Sequence, residues 1–196
     1  MARESEPSPD SLGVVLEVVD ALEALEIPYH LGGSFASSLH GNARQTRDAD
    51  FVVQLRSAAQ VHLLAARLGS GFYLDPSALL RAVRQRSSCN LVHLGSAFKI
   101  DLFVQGDSEF DRAELRRSVP QTLAGLPERS IQVKSPEDTI LRKLQWFDLG
   151  GRQSERQWSD VLGVLKVQGP DLDFDYLRRT ATDLGIHDLL QEALGP

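Results

Sequence analysis

Leu31-Gly32-Gly33-Ser34, followed after thirteen residues by Asp48-Ala49-Asp50-Phe51, constrains this chain more than any other stretch. Residues two apart on a strand share a face, so Asp48 and Asp50 point the same way. Their neighbours Ala49, Phe51, Val52 and Val53 are apolar, so the pair emerges from a strand otherwise built for burial. Two adjacent carboxylates in such surroundings repel each other and resist ionisation unless a cation joins them. A hard divalent ion with oxygen ligands, Mg²⁺ or Mn²⁺, is the natural counter-charge. Gly32 and Gly33 let backbone approach a phosphate closely, and Ser34 adds a hydroxyl. The short helix expected over 35–39 would aim its free N–H groups and the positive end of its dipole at that phosphate.

Phe98-Lys99-Ile100-Asp101-Leu102-Phe103-Val104 reads as a second buried strand with one acid among apolar residues. If it lies beside the first, Asp101 completes a three-carboxylate site able to hold one or two metal ions.

These ordered elements resemble the nucleotidyltransferase superfamily typified by DNA polymerase beta: Gly33-Ser34, then Asp48-Ala49-Asp50, then Ile100-Asp101-Leu102. The resemblance implies an α/β (α+β) fold, with a mixed-sheet nucleotidyltransferase core and a mostly helical C-terminal part. It also implies Mg²⁺-dependent transfer of a nucleoside monophosphate from an NTP to an acceptor hydroxyl, with release of pyrophosphate. Asp48, Asp50 and Asp101 would hold the metal, and Gly32, Gly33 and Ser34 the nucleotide. Arg44 and Arg47 flank Thr46 just before the acids, where antibiotic-modifying and toxin-like members look similar, and a guanidinium there could clamp the triphosphate. Stand-alone bacterial members also resemble the helix from Ser135 through Lys143 and the following Asp160-Val161-Leu162-Gly163-Val164-Leu165. Lys143 would then reach the phosphates, and Asp160 would act as base or orient the acceptor.

The charge distribution agrees with a polyanionic ligand. The net charge is −6. Residues 1–30 hold Glu4, Glu6, Asp10, Glu17, Asp20, Glu23 and Glu26 against Arg3 alone. Residues 31–100 hold Arg44, Arg47, Arg56, Arg67, Arg81, Arg84, Arg86 and Lys99 against Asp48, Asp50 and Asp75. The candidate site therefore lies in the basic part of an acidic protein. That suits a triphosphate better than broad nucleic-acid binding, which needs a longer basic stripe. The acceptor stays open among a small molecule, a protein side chain and an RNA end. The acidic ends could serve a protein partner, and a non-catalytic member of the fold, such as a toxin–antitoxin component, is the rival reading.

No apolar run approaches membrane-spanning length, and the single Cys89 excludes an internal disulfide and suits a reducing cytoplasm. Residues 1–10 read as a disordered leader, 11–106 as the catalytic core and 107–196 as the mostly helical region. The spacing predicts strands over 29–31, 49–55, 89–93, 97–104 and 131–133. Helices are expected after the Ser11, Ser57 and Ser135 caps, over 76–86, 109–117 and 155–167, and as an acidic pair beyond Gly169-Pro170. Pro120, Gly125 and Pro127 mark a turn region. The five histidines show no metal spacing; His30 reads as a strand residue and His40 as a cap-region residue. Trp146 and Trp158 read as helix-packing anchors.

Overall fold

The computed structural model describes residues 9–42, 46, 48–123 and 126–195. The expected leader lies almost wholly outside them, and the first helix, α1 (Pro9–Ala24), already begins at its end. Among the described residues, seven strands form one sheet: β1 (Tyr29–Leu31), β2 (Asp48–Val53), β3 (Phe72–Tyr73), β4 (Ser88–His93), β5 (Lys99–Val104), β6 (Val119–Leu123) and β7 (Leu126–Val133). Their order is β3-β4-β5-β2-β1-β7-β6. β2 runs parallel to β5, and β1 runs parallel to β7, whereas β1 and β2 are antiparallel, so the sheet is mixed. No described helix is long and apolar enough to cross a membrane.

Several of the helices begin where side-chain acceptors can satisfy their first N–H groups. Ser57 caps α3 (Ala58–Leu68), Asp75 with Pro76 starts α4 (Pro76–Gln85), and Ser135 with Pro136 starts α6 (Pro136–Leu149). Ser108 forms a full capping box at α5 (Glu109–Arg116), and Ser154 caps α7 (Glu155–Gln168). Two further helices, α8 (Phe174–Asp183) and α9 (His187–Leu194), close the chain.

The hairpin of β6 and β7 occupies the region that its prolines mark as turns. β6 pairs only with β7 and forms the edge of the sheet. An edge strand tolerates Pro120 because one side of its backbone has no ladder to complete.

Buried apolar side chains form two clusters. One joins the sheet to α1, α3 and α4 through residues such as Val18, Leu22, Phe51, Leu64, Leu79 and Leu102. The other joins α5 to α9 through Phe110, Ile140, Leu144, Val161, Leu177 and Leu190. The helix that follows β1, α2 (Gly33–His40), packs against β2 and also against α6 and α7, so it ties the sheet to the helical cluster. At its end, a Cβ on Gly41 would lie 2.9 Å from the backbone of Gly163 and Val164 on α7. Only glycine permits that approach of α7 to the end of α2.

Candidate active site

Burial alternates along both acid-bearing strands. Ala49, Phe51 and Val53 of β2, with Ile100, Leu102 and Val104 of β5, are buried in the sheet core. Asp48, Asp50 and Val52, with Lys99, Asp101 and Phe103, therefore take the other face. The parallel register sets Asp50 directly beside Asp101 and Asp48 beside Lys99. The three acids predicted from the sequence thus share one face of two neighbouring strands.

The glycine turn meets them from β1. Gly32 N donates to Asp50 O at 2.8 Å. Gly33 adopts φ +54°, and a Cβ there would lie 1.7 Å from Asp50 Oδ2. The position demands glycine twice, for its left-handed backbone and for the carboxylate lying against it. Gly32, as N-cap of α2, offers no side-chain acceptor to the helix's first N–H groups. Such donors at the start of a helix are suited to an anion.

A cleft of about 620 Å³ opens here, lined by Gly32, Gly33, Ser34, Asp48 and Asp50 on one side. Lys134, Thr139, Arg142, Lys143 and Trp146 line it from β7–α6, and Arg156 and Gln157 from α7. Asp101 flanks that wall one strand over, its side chain 15% exposed.

Burial and the neighbouring carboxylates of Asp48 and Asp101 push the Asp50 acid upward, against the pull of Lys143 and Lys134. Asp101 is partly compensated by Lys99, whose ammonium bonds Oδ2 at 2.8 Å, while Asp101 Oδ1 is buried without a hydrogen-bond partner among the described residues. Thr46 Oγ1 donates to Asp48 Oδ1 at 3.1 Å and so orients it. Among the described residues, no three His, Cys, Asp or Glu side chains enclose an ion by themselves. The donor set nevertheless suits a hard divalent ion: three carboxylates on one face, one oxygen orphaned and one acid strained by its neighbours. Such an ion would take its remaining ligands from a bound phosphate.

Lys143 and Asp160 also come together. The ammonium bonds Asp160 Oδ2 at 2.8 Å, with the side chains only 9% and 8% exposed. Lys143 lines the cleft, and Asp160 is reached through it. Ile140 and Leu144 are fully buried beneath it, and Phe147 packs on Trp158 with ring centroids 5.2 Å apart. Arg44 and Arg47 lie outside the described residues.

Other cleft residues escape a reading of the sequence. Arg156 Nη2 donates to Ser34 Oγ at 3.0 Å across the cleft. Lys134 stands beside Gly32 because the register Leu31↔Val133 places both just past the ends of neighbouring parallel strands, and Lys134 N bonds Leu31 O at 2.8 Å. Its only sequence signal is the position before the Ser135-Pro136 helix start, which says nothing about the neighbour. Trp146, expected as a packing anchor, is 53% exposed and lines the cleft; its helix buries a different face. His40 does more than cap α2: its Nε2 donates to Lys134 O at 2.7 Å and holds β7's end against α2. His30 sits wholly buried on β1, as the strand pattern predicts, and burial followed by the Lys134 charge lowers its pKa to about 3.

No model of a known family matches the sequence, and no curated protein does either. Solved structures match through the fold. The crystal structure of ANT(2″)-Ia in complex with adenylyl-2″-tobramycin is similar with a TM-score of 0.58 and 13% identity, covering 89% of this chain and 98% of that chain. An antigenic nucleotidyltransferase-like protein from Paracoccidioides brasiliensis gives 0.53 and 19% identity, covering 83% and 78%. The lincosamide antibiotic adenylyltransferase LnuA with lincomycin bound gives 0.51 and 16%, covering 83% and 99%. The chain thus has a nucleotidyltransferase fold.

Proposed function

We propose that this protein is a metal-dependent nucleotidyltransferase that moves a nucleoside monophosphate from an NTP to an acceptor hydroxyl and releases pyrophosphate. The observation that carries the reading is the juxtaposition of Asp50 and Asp101, in register on parallel strands, with Asp50 pressed against the Gly33 turn. A phosphate-binding backbone and a cation-demanding acid cluster then meet at one point.

Each residue has a role that follows from its chemistry. Gly32 and Gly33 allow the backbone to approach the phosphates, and the N-terminus of α2 faces the negative charge. Ser34, held by Arg156, donates its hydroxyl to a phosphate oxygen. Asp48, Asp50 and Asp101 would hold Mg²⁺ or Mn²⁺, which supplies charge neutralisation and in-line alignment of the triphosphate. Lys143 offsets charge on the departing pyrophosphate. Asp160 fixes Lys143 and is placed to orient the acceptor or take its proton. Arg44 and Arg47 are assigned a supporting hold on the triphosphate. ATP is the favoured donor, in keeping with one structurally similar protein that is an adenylyltransferase and another that holds adenylyl-2″-tobramycin. The acceptor is a hydroxyl on a small molecule, a protein side chain or an RNA end, in a cytoplasmic setting.

The test is pyrophosphate release with ATP, CTP, GTP and UTP, with Mg²⁺ or Mn²⁺, against a panel of those three acceptor classes. Release that requires metal, an acceptor and intact Asp50 supports the reading. Metal-dependent NTP binding with no release on any acceptor would favour a non-catalytic regulatory protein, such as a toxin–antitoxin component.

A further inference from the structure

Apart from the acid strands, the densest polar group in the cleft is formed by Lys134, Glu114, Arg142 and Asp111. Lys134 Nζ bonds Glu114 Oε1 at 2.7 Å, and the two side chains are 6% and 3% exposed. Arg142 holds the same carboxylate, with Nε on Oε1 at 3.0 Å and Nη2 on Oε2. Two cations share one anion, and they are not equally fixed. Arg142 is also tied to Asp111 at 2.7 Å and to Gln145 at 2.8 Å, and its guanidinium lies 4.6 Å from the centre of the Phe110 ring. Lys134 is a flexible chain, and among the described residues its ammonium hydrogen-bonds Glu114. That ammonium lies 3.7 Å from where a Cβ on Gly32 would stand, beside the turn already assigned to phosphate.

Removing one member of a buried ion pair is ordinarily severe, because the other is stranded. Here Glu114 would keep both oxygens paired with Arg142. Lys134 can leave without stranding a buried charge, and a polyphosphate at the turn offers it a stronger anion. We propose that Lys134 is a phosphate-binding residue that rests on Glu114 in the free protein and transfers to the polyphosphate of a bound nucleotide. Glu114 is then a competitor that holds the lysine in place until the ligand arrives. The inference rests on the nucleotide reading above and adds to it a residue and an exchange of partners.

Calorimetric titration with inorganic tripolyphosphate, and separately with ATP and Mg²⁺, would test it on the full chain. Wild type, Lys134→Met, Lys134→Arg and Glu114→Gln would be compared, with ligand-free melting recorded for each. Loss of one charge-assisted contact predicts about 10- to 100-fold weaker tripolyphosphate binding by Lys134→Met, largely restored by Lys134→Arg. Glu114→Gln should bind several-fold more tightly than wild type, because the competitor is gone. Opposite affinity changes from two variants that both lower the melting temperature cannot come from a general loss of structure. Should Lys134→Met fail to fold, the direction of the Glu114→Gln change decides. Equal tripolyphosphate affinity in wild type and Lys134→Met, or weaker binding by Glu114→Gln, overturns the exchange while leaving ATP binding by wild type, and the nucleotide reading, intact. Wild type that binds neither ATP–Mg²⁺ nor tripolyphosphate overturns both.

Discussion

Replacing Gly33 with Ala adds one carbon at the point where the turn meets the acids. The added Cβ would lie 1.7 Å from Asp50 Oδ2, 2.6 Å from Cγ and 3.0 Å from Asp50 Cβ. No rotation of a methyl group relieves that overlap, so the Asp50 side chain must swing out of its place beside Asp101. The backbone contributes separately: φ of +54° costs an L-residue about 1–2 kcal/mol. Crowding of a packed site adds about 1–3 kcal/mol, so Gly33→Ala should lose roughly 2–5 kcal/mol by urea unfolding. Turnover should fall further than stability explains, because the displaced carboxylate is a proposed metal ligand. Asp50→Gly separates the two effects. In that background Gly33→Ala should cost only the backbone strain, so the double-mutant cycle should show a coupling of about 1–3 kcal/mol. Additive losses, or a Gly33→Ala protein with wild-type stability and turnover, would refute the packing of Gly33 on Asp50 as the reason for glycine here.

Lys143→Ala should reduce turnover by about 10²–10³. It should also destabilise the fold by about 1.5–3 kcal/mol, since it removes a charge-assisted hydrogen bond between two nearly buried side chains; Lys143→Met with Asp160→Leu should recover stability in urea but not turnover. Asp50→Asn should raise the melting temperature of the metal-free protein at neutral pH, because burial and then Asp48 and Asp101 disfavour the charged form in the folded state. Acid unfolding should report on Glu114: burial alone would raise its pKa, but Lys134 and Arg142 bring it down to about 2. A depressed acid contributes stability above its ordinary value near 4.5 and loses it as pH falls towards 2. Roughly 3 kcal/mol should therefore disappear across that window, and Glu114→Gln should flatten it.

Short-range chemistry made much of this fold legible. The alternation in Asp48-Ala49-Asp50-Phe51 is the alternation of open and buried faces in β2. Ser57 and the Ser135-Pro136 pair cap the helices that their sequence signals predict. The hairpin of β6 and β7 was illegible because Pro120 and Pro127 argue locally against strands, and only an edge position makes Pro120 tolerable. What the pattern of residues cannot carry is which strand lies beside which. Lys134 enters the cleft because β7 pairs with β1, more than 90 residues away in sequence, and no local pattern around Lys134 encodes that pairing. Trp146 shows the same limit on a helix: apolar spacing identifies a packing helix but does not tell which aromatic residue faces a cleft formed with another element. Arg156 meets Ser34 from 122 residues away in sequence, across a contact of α7 with α2 that a side chain at Gly41 would obstruct.

Asp48, Asp50 and Asp101 are proposed to unite with the glycine turn to hold a metal–triphosphate complex. Calorimetric titration of ATP in the presence and absence of Mn²⁺, on wild type and on Asp48→Asn/Asp50→Asn, measures it directly. Wild type should bind metal weakly without nucleotide, and metal and ATP should tighten each other's binding. Both effects should vanish in the double variant, which should remain folded and melt no lower than wild type. Equal metal-dependent ATP affinity in the two proteins would contradict the assignment of these carboxylates, and with it the proposed function.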